Sequence, residues 1–226
     1  MRRKNENLVN IKAQGVTLEG NLNIPGDAQG IVIFAHGSGS SRFSPRNQFV
    51  AHGLQQGGIA TLLLDLLTFE EERVDVNTRE YRFDIGLLAG RVVCATDWLL
   101  RQPETKDFRI GYFGSSTGAA AALIAAAQRV DKVDAVVSRG GRPDLAMTDI
   151  GKVRAATLFI VGGNDNPVIA LNRDAFVRIR AEKRLEIIPG ASHLFEEPGA
   201  LGKVVRLARQ WFQQHLTEGG GYQRAV

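Results

Sequence analysis

Arg109-Ile110-Gly111-Tyr112-Phe113-Gly114-Ser115-Ser116-Thr117-Gly118-Ala119-Ala120 joins a short apolar run to an alanine-rich stretch that continues to Gln128. The first half has the length and apolar character of a buried strand, and the second has the composition of a helix. Between them, Gly114-Ser115-Ser116-Thr117-Gly118 reads G-x-S-x-G in the strand–turn–helix setting that this motif requires. A serine at such an apex takes strained backbone angles. Strand and helix close on each other only if the residues two away are small. Ser116 has Gly114 and Gly118 at those places, whereas Ser115 would have Phe113 and Thr117, so Ser116 is the candidate nucleophile. A serine capping a helix is the plainer alternative. A phosphate-binding loop is a second one, but no lysine follows Gly118 as a P-loop would need.

Working outward, the same alternation recurs. Apolar or β-branched runs at 8–13, 16–24, 31–35, 60–64, 109–113, 135–137, 156–161 and 184–188 read as strands. Helical patterns occupy 45–56, 82–101, 117–128, 166–182 and 198–216. Runs apolar on both faces belong to strands covered on both sides, so after residue 30 the order predicts a doubly wound, mainly parallel sheet. The first two runs flank Gln14-Gly15 and predict a hairpin at one edge. Residues 1–216 read as one domain and 217–226, with Gly219-Gly220-Gly221, as a flexible tail.

A serine hydroxyl is a poor nucleophile until a base takes its proton, and the base needs an orienting group. Thr157-Leu-Phe-Ile-Val-Gly-Gly-Asn-Asp is an apolar run ending in a turn that presents Asp165. Leu185-Glu-Ile-Ile-Pro-Gly-Ala-Ser-His is another, presenting His193. Serine, acid and base thus appear in order just past strand ends, where open parallel sheets build their sites. Singly, the aspartate would pass for a turn residue and the histidine for a surface one. Donors for a developing oxyanion are expected from the Thr117 backbone N–H and from the His36-Gly37-Ser38-Gly39-Ser40-Ser41 loop. There Ser38 N–H is the first choice and Gly39 N–H the alternative. His36 is read as ordering that loop. His52 and His215 fall in helical patterns away from these turns.

Composition sets the setting for this chemistry. The 226 residues are 44% hydrophobic and 23% charged, enough for one sizeable core. Twenty-eight Lys and Arg against 24 Asp and Glu give a net charge of +4. The basic residues are scattered except for Arg2-Arg3-Lys4, so nucleic acid is not an expected partner. The lone Cys94 allows no internal disulfide and suits a cytoplasmic location. Residues 1–10 have no apolar run after their charges, so no signal peptide is read, and no stretch has the roughly 20 apolar residues of a membrane span.

His36-Gly37-Ser38-Gly39, Gly114-Ser115-Ser116-Thr117-Gly118, Gly163-Asn164-Asp165 and Gly190-Ala191-Ser192-His193 together resemble the α/β-hydrolase superfamily, and within it the small dienelactone-hydrolase-like esterases. The resemblance implies a mostly parallel eight-stranded sheet with helices on both faces. It also implies a Ser116–His193–Asp165 triad, an acyl-enzyme intermediate, and no cofactor or metal. Dienelactone hydrolases proper carry cysteine at the elbow. This chain has Ser116, and Cys94 lies inside a helical pattern, so a general carboxylic ester is the expected substrate. About 17 residues separate Ser138 from Ala156, too few for a cap domain, so the site should be open to small or medium esters. Acyl transfer or perhydrolysis by the same triad is the alternative, and a non-catalytic binding protein a more distant one. Arg139 reads as a carboxylate-binding residue for the substrate or, more plainly, as part of a structural salt bridge or a solvated loop. Glu70-Glu71-Glu72-Arg73 reads as a solvated loop. The sequence says nothing of oligomeric state.

Overall fold

The computed structural model describes residues 6–217. Apart from Thr217, the expected tail lies outside the described residues, as does Arg2-Arg3-Lys4. Eight strands form one sheet: β1 (Glu6–Ala13), β2 (Val16–Asn23), β3 (Gly30–Ala35), β4 (Ala60–Leu64), β5 (Arg109–Ser115), β6 (Val133–Arg139), β7 (Ala156–Gly162) and β8 (Lys183–Ile188). Their order is β1-β2-β4-β3-β5-β6-β7-β8. The β1–β2 hairpin and the β2–β4 pair are antiparallel, and every pair from β4 to β8 is parallel. Gln14 and Gly15 both have positive φ (49° and 86°), as a two-residue hairpin turn of matching twist demands.

Alternate residues of each central strand feed two separate cores. Ile31, Ile33 and Ala35 join one, under α4 (Ile85–Leu99), α5 (Thr117–Gln128) and part of α6 (Asn166–Arg178). Val32 and Phe34 join the other, under α1 (Pro45–Gln55) and α7 (Ala200–Leu216). This two-sided burial is what the unbroken apolar runs require. Helices therefore cover both faces. Between β6 and β7 stand only two short 3-10 turns, Pro143–Ala146 and Ile150–Lys152, so there is no cap domain.

The strand order reverses at β3, whose neighbours are β4 and β5. The chain leaves β3 toward one side and β5 toward the other, which opens a crevice above the carboxyl ends of those strands. The 36–41 loop and the G-x-S-x-G turn meet there.

Two expectations need correction. Glu70-Glu71-Glu72 is not a loop: it lies in α2 (Phe69–Thr78), followed by the short α3 (Glu80–Phe83). Thr68 Oγ1 accepts from Glu71 N–H (3.2 Å) and the Glu71 carboxylate accepts from Thr68 N–H (2.8 Å), a reciprocal cap. Glu71 also pairs with Arg91, which is 1% exposed. A charge run conceals this because its partner is twenty residues away. The helix expected from Arg82 instead begins at Ile85, where Asp84 caps it by accepting from Leu87 N–H (2.9 Å). No described helix is long and apolar enough to cross a membrane.

Candidate active site

Ser116 stands between β5 and α5 with φ 51° and ψ −123°, a conformation that L residues rarely adopt. It occupies the N-cap position, yet its side chain makes no capping hydrogen bond, so the helix-cap alternative does not describe it. Its main chain is held firmly: N–H donates to Arg139 O (3.3 Å), and its carbonyl accepts from Ala119 N–H (3.1 Å) and Arg142 N–H (3.0 Å). Ser115 is a buried β5 residue, 3% exposed, while Ser116 is partly open. The flanking glycines are required by contact. A Cβ on Gly118 would sit 2.7 Å from the Ala35 carbonyl carbon, and one on Gly114 2.8 Å from Ala119 N.

Asp165 and His193 are brought together by their loops. Gly163 N–H donates to Ile188 O (2.8 Å), Asn164 N–H to Ala191 O (2.9 Å) and Asn164 Nδ2 to Gly190 O (3.0 Å). Asp165 is the N-cap of α6 but spends no side-chain hydrogen bond on the helix. Its Oδ2 instead lies 2.6 Å from His193 Nδ1. A carboxylate only accepts, so Nδ1 carries the proton and Nε2 is left as the basic nitrogen. The Asp165 side chain is 13% exposed and that of His193 38%. Ser192 N–H donates to Glu197 Oε1 (2.9 Å), which braces the histidine loop and holds the Glu197 carboxyl below its usual range. Sequence reasoning missed Glu197. Its one signal was an acid four residues past the histidine.

Ser116 and His193 flank the same segment, Arg139-Gly140. The first is bonded to the Arg139 carbonyl, and the second has its ring against Gly140, where a Cβ would come within 3.5 Å of Nδ1. Ser116 Oγ and His193 Nε2 form no hydrogen bond in the structure. Such contacts often tighten only when substrate binds.

The 36–41 loop lies against the elbow: a Cβ on Gly37 would be 3.1 Å from Ser116 Cβ. His36 Nε2 accepts from Leu66 N–H (2.9 Å), so its proton is on Nδ1, which donates to Gly37 O (2.9 Å). Burial pushes the His36 pKa down, and the neutral ring suits its role as a brace for the loop. Thr117 N–H opens α5 and has no intrahelical partner. Ser38 N–H, however, donates to Thr117 Oγ1 (2.9 Å) and is therefore engaged in this structure. A small cleft of about 230 Å³ adjoins this loop, lined by residues 36–41 and by Leu67, Glu72, Asp75 and Arg82 among others. Ser116 and His193 do not line it.

A family model described as the dienelactone hydrolase family matches residues 23–216. The chain belongs to that family. A crystal structure of a dienelactone hydrolase from Anabaena variabilis is 61% identical, with a TM-score of 0.92 over 94% of this chain and 98% of that one. At the level of fold alone, the chain is also similar to a Xanthomonas campestris α/β serine hydrolase without lid (18% identity, TM-score 0.73, 96% and 97% covered). A Mycobacterium tuberculosis protein provisionally named a phosphoribosyl transferase is 53% identical over 212 residues. That match takes in 94% of this chain, which spans 47% of the relative's length. Family membership fits the lidless sheet and the elbow described above. The elbow carries the hydroxyl of Ser116, and the half-buried Cys94 lies apart from it within α4.

Proposed function

We propose that this dienelactone-hydrolase family member is a serine hydrolase that cleaves small or medium carboxylic esters through an acyl-enzyme. The observation that carries the reading is the Asp165–His193 contact of 2.6 Å beside a serine in a strained, non-capping conformation. His193 Nε2 takes the Ser116 Oγ proton as Oγ attacks the ester carbonyl. The same nitrogen then gives that proton to the departing alcohol. Asp165 stabilises the imidazolium, and its own proton count does not change. A water deprotonated by His193 attacks the acyl carbon, and Ser116 leaves with the proton restored. The lidless sheet favours small or medium soluble esters.

Thr117 N–H and Ser38 N–H are the proposed oxyanion donors. Before the second can act, the carbonyl oxygen must displace Thr117 Oγ1 from Ser38 N–H. A neutral internal hydrogen bond is worth about 1 kcal/mol, so this competition costs about fivefold. Thr117→Val keeps the shape and removes the competitor, and kcat/KM for p-nitrophenyl acetate should rise by up to about fivefold. A fall of tenfold or more would mean that the hydroxyl itself holds the oxyanion.

Labelling with a fluorophosphonate tests the reading as a whole: stoichiometric modification of Ser116, located by mass spectrometry, is the expected result. An unmodified protein would favour the non-catalytic alternative. Product analysis with added alcohol or peroxide separates hydrolysis from acyl transfer and perhydrolysis. The name of the M. tuberculosis relative does not enter this reading, because more than half of that protein lies outside the match.

A further inference from the structure

Arg139 has no salt-bridge partner among the described residues, and it does not lie in a solvated loop. It closes β6 and is 7% exposed. Its Nε and Nη1 are buried without a hydrogen-bond partner, so neither two-nitrogen face of the guanidinium is open to a substrate carboxylate. What the guanidinium does meet is a ring: its carbon lies 5.6 Å from the centroid of Phe195, itself 1% exposed. Phe195 stands two residues past His193 with φ 58°, a conformation that a bulky residue keeps only where its surroundings impose it. Its N–H donates to Ser192 O (3.3 Å), which closes a turn around His193. On the other side of that turn, Ser192 N–H donates to Glu197 Oε1 (2.9 Å).

The end of β6 thus touches both the serine and the histidine turn. The Arg139 carbonyl accepts from Ser116 N–H (3.3 Å), and Gly140 packs against the His193 ring and carbonyl. Asp165 fixes the ring through Nδ1 (2.6 Å), but Ser116 Oγ and His193 Nε2 are not hydrogen-bonded, so the setting of the turn decides how closely they approach. We infer that Arg139 is a positioning residue for the proposed triad: its guanidinium, seated over Phe195, fixes the turn that presents His193 to Ser116. An apolar side chain would fill the same space without leaving two donors unpaired. The cation adds attraction to the negative face of the ring, which holds Phe195 in its left-handed conformation.

The inference rests on the serine-hydrolase reading of the same site. Arg139→Met keeps a long side chain and removes the charge. It should lower kcat for p-nitrophenyl acetate about tenfold, with KM within about twofold of the parent. Its melting temperature should hold or rise, because a buried charge with unpaired donors is gone. Arg139→Lys keeps a cation over the ring and should restore kcat to within about threefold of the parent. Phe195→Leu should match the loss in Arg139→Met, and the double variant should lose no more than either alone. An unchanged kcat in Arg139→Met, a lysine variant no better than the methionine one, or a loss carried by KM would overturn the positioning role. So would losses that multiply in the double variant, or a melting temperature that falls with the turnover. If Phe195→Leu does not fold, the methionine and lysine variants decide by themselves. Fluorophosphonate labelling of the parent separates the two readings. An unlabelled Ser116 removes the triad mechanism, whereas a labelled Ser116 beside indifferent arginine variants removes only the role of Arg139.

Discussion

Ser116→Ala is expected to lower kcat for p-nitrophenyl acetate by about 10⁴-fold or more while the chain stays folded. The hydroxyl is the only side-chain group of the proposed mechanism that bonds to the acyl carbon, so no neighbour replaces it. Ser115 is shut into β5, and Thr117 Oγ1 already accepts from Ser38 N–H. Residual rate should come from the oxyanion donors alone, which explains why the loss need not reach the uncatalysed level. Folding should survive for a specific reason. The Ser116 side chain caps nothing, and its main-chain bonds to Arg139, Ala119 and Arg142 do not involve Oγ. The positive φ is a small strain that alanine inherits. Circular dichroism and a melting curve within a few degrees of the parent, beside the lost turnover, make the check. Undiminished turnover would remove Ser116 from the mechanism.

Gly118→Ala is expected to have the largest effect on stability. The added methyl would meet the carbonyl groups of Ala35 and His36, which are main-chain atoms of a central strand and of the 36–41 loop, and neither can rotate away. Overpacking of this kind costs about 1–3 kcal/mol where side chains can yield, and rigid backbone on the far side puts this site at or above the upper end. For a domain of this size, about 3 kcal/mol corresponds to a fall in melting temperature on the order of 10 °C. Activity should fall as well, because relief of the clash pushes the 36–41 loop from the elbow and carries Ser38 N–H with it. A variant that melts with the parent would show that α5 can slide along β5, contrary to the packing described.

Much of this site was legible in the sequence because its parts are local. A glycine pair around Ser116 is a steric demand of a tight turn, and an apolar strand followed by Gly-Asn-Asp or Ala-Ser-His is a strand end with a polar tip. The eight strands were legible for the same reason, since burial on both faces leaves an apolar run that needs no partner to be seen. β6 shows the limit: its apolar run covers 135–137, but the strand already begins at Val133, ahead of the half-buried Asp134 that interrupts the apolar pattern. The reciprocal cap of α2 could be found locally, in Thr68 and Glu71. Its purpose could not, since that depends on Arg91.

The sequence by itself thus determined the fold class and singled out Ser116, Asp165 and His193 as the candidate triad. Each of these follows from the steric or hydropathic needs of a few consecutive residues. Only the tertiary structure decided what those residues face. It set the Asp165–His193 contact through the loops after β7 and β8, and it gave Ser38 N–H to Thr117. It also left Arg139 Nε and Nη1 buried without a hydrogen-bond partner. Burial, pairing and the absence of a partner are relations between distant segments, fixed only when the sheet closes and the strand order reverses at β3.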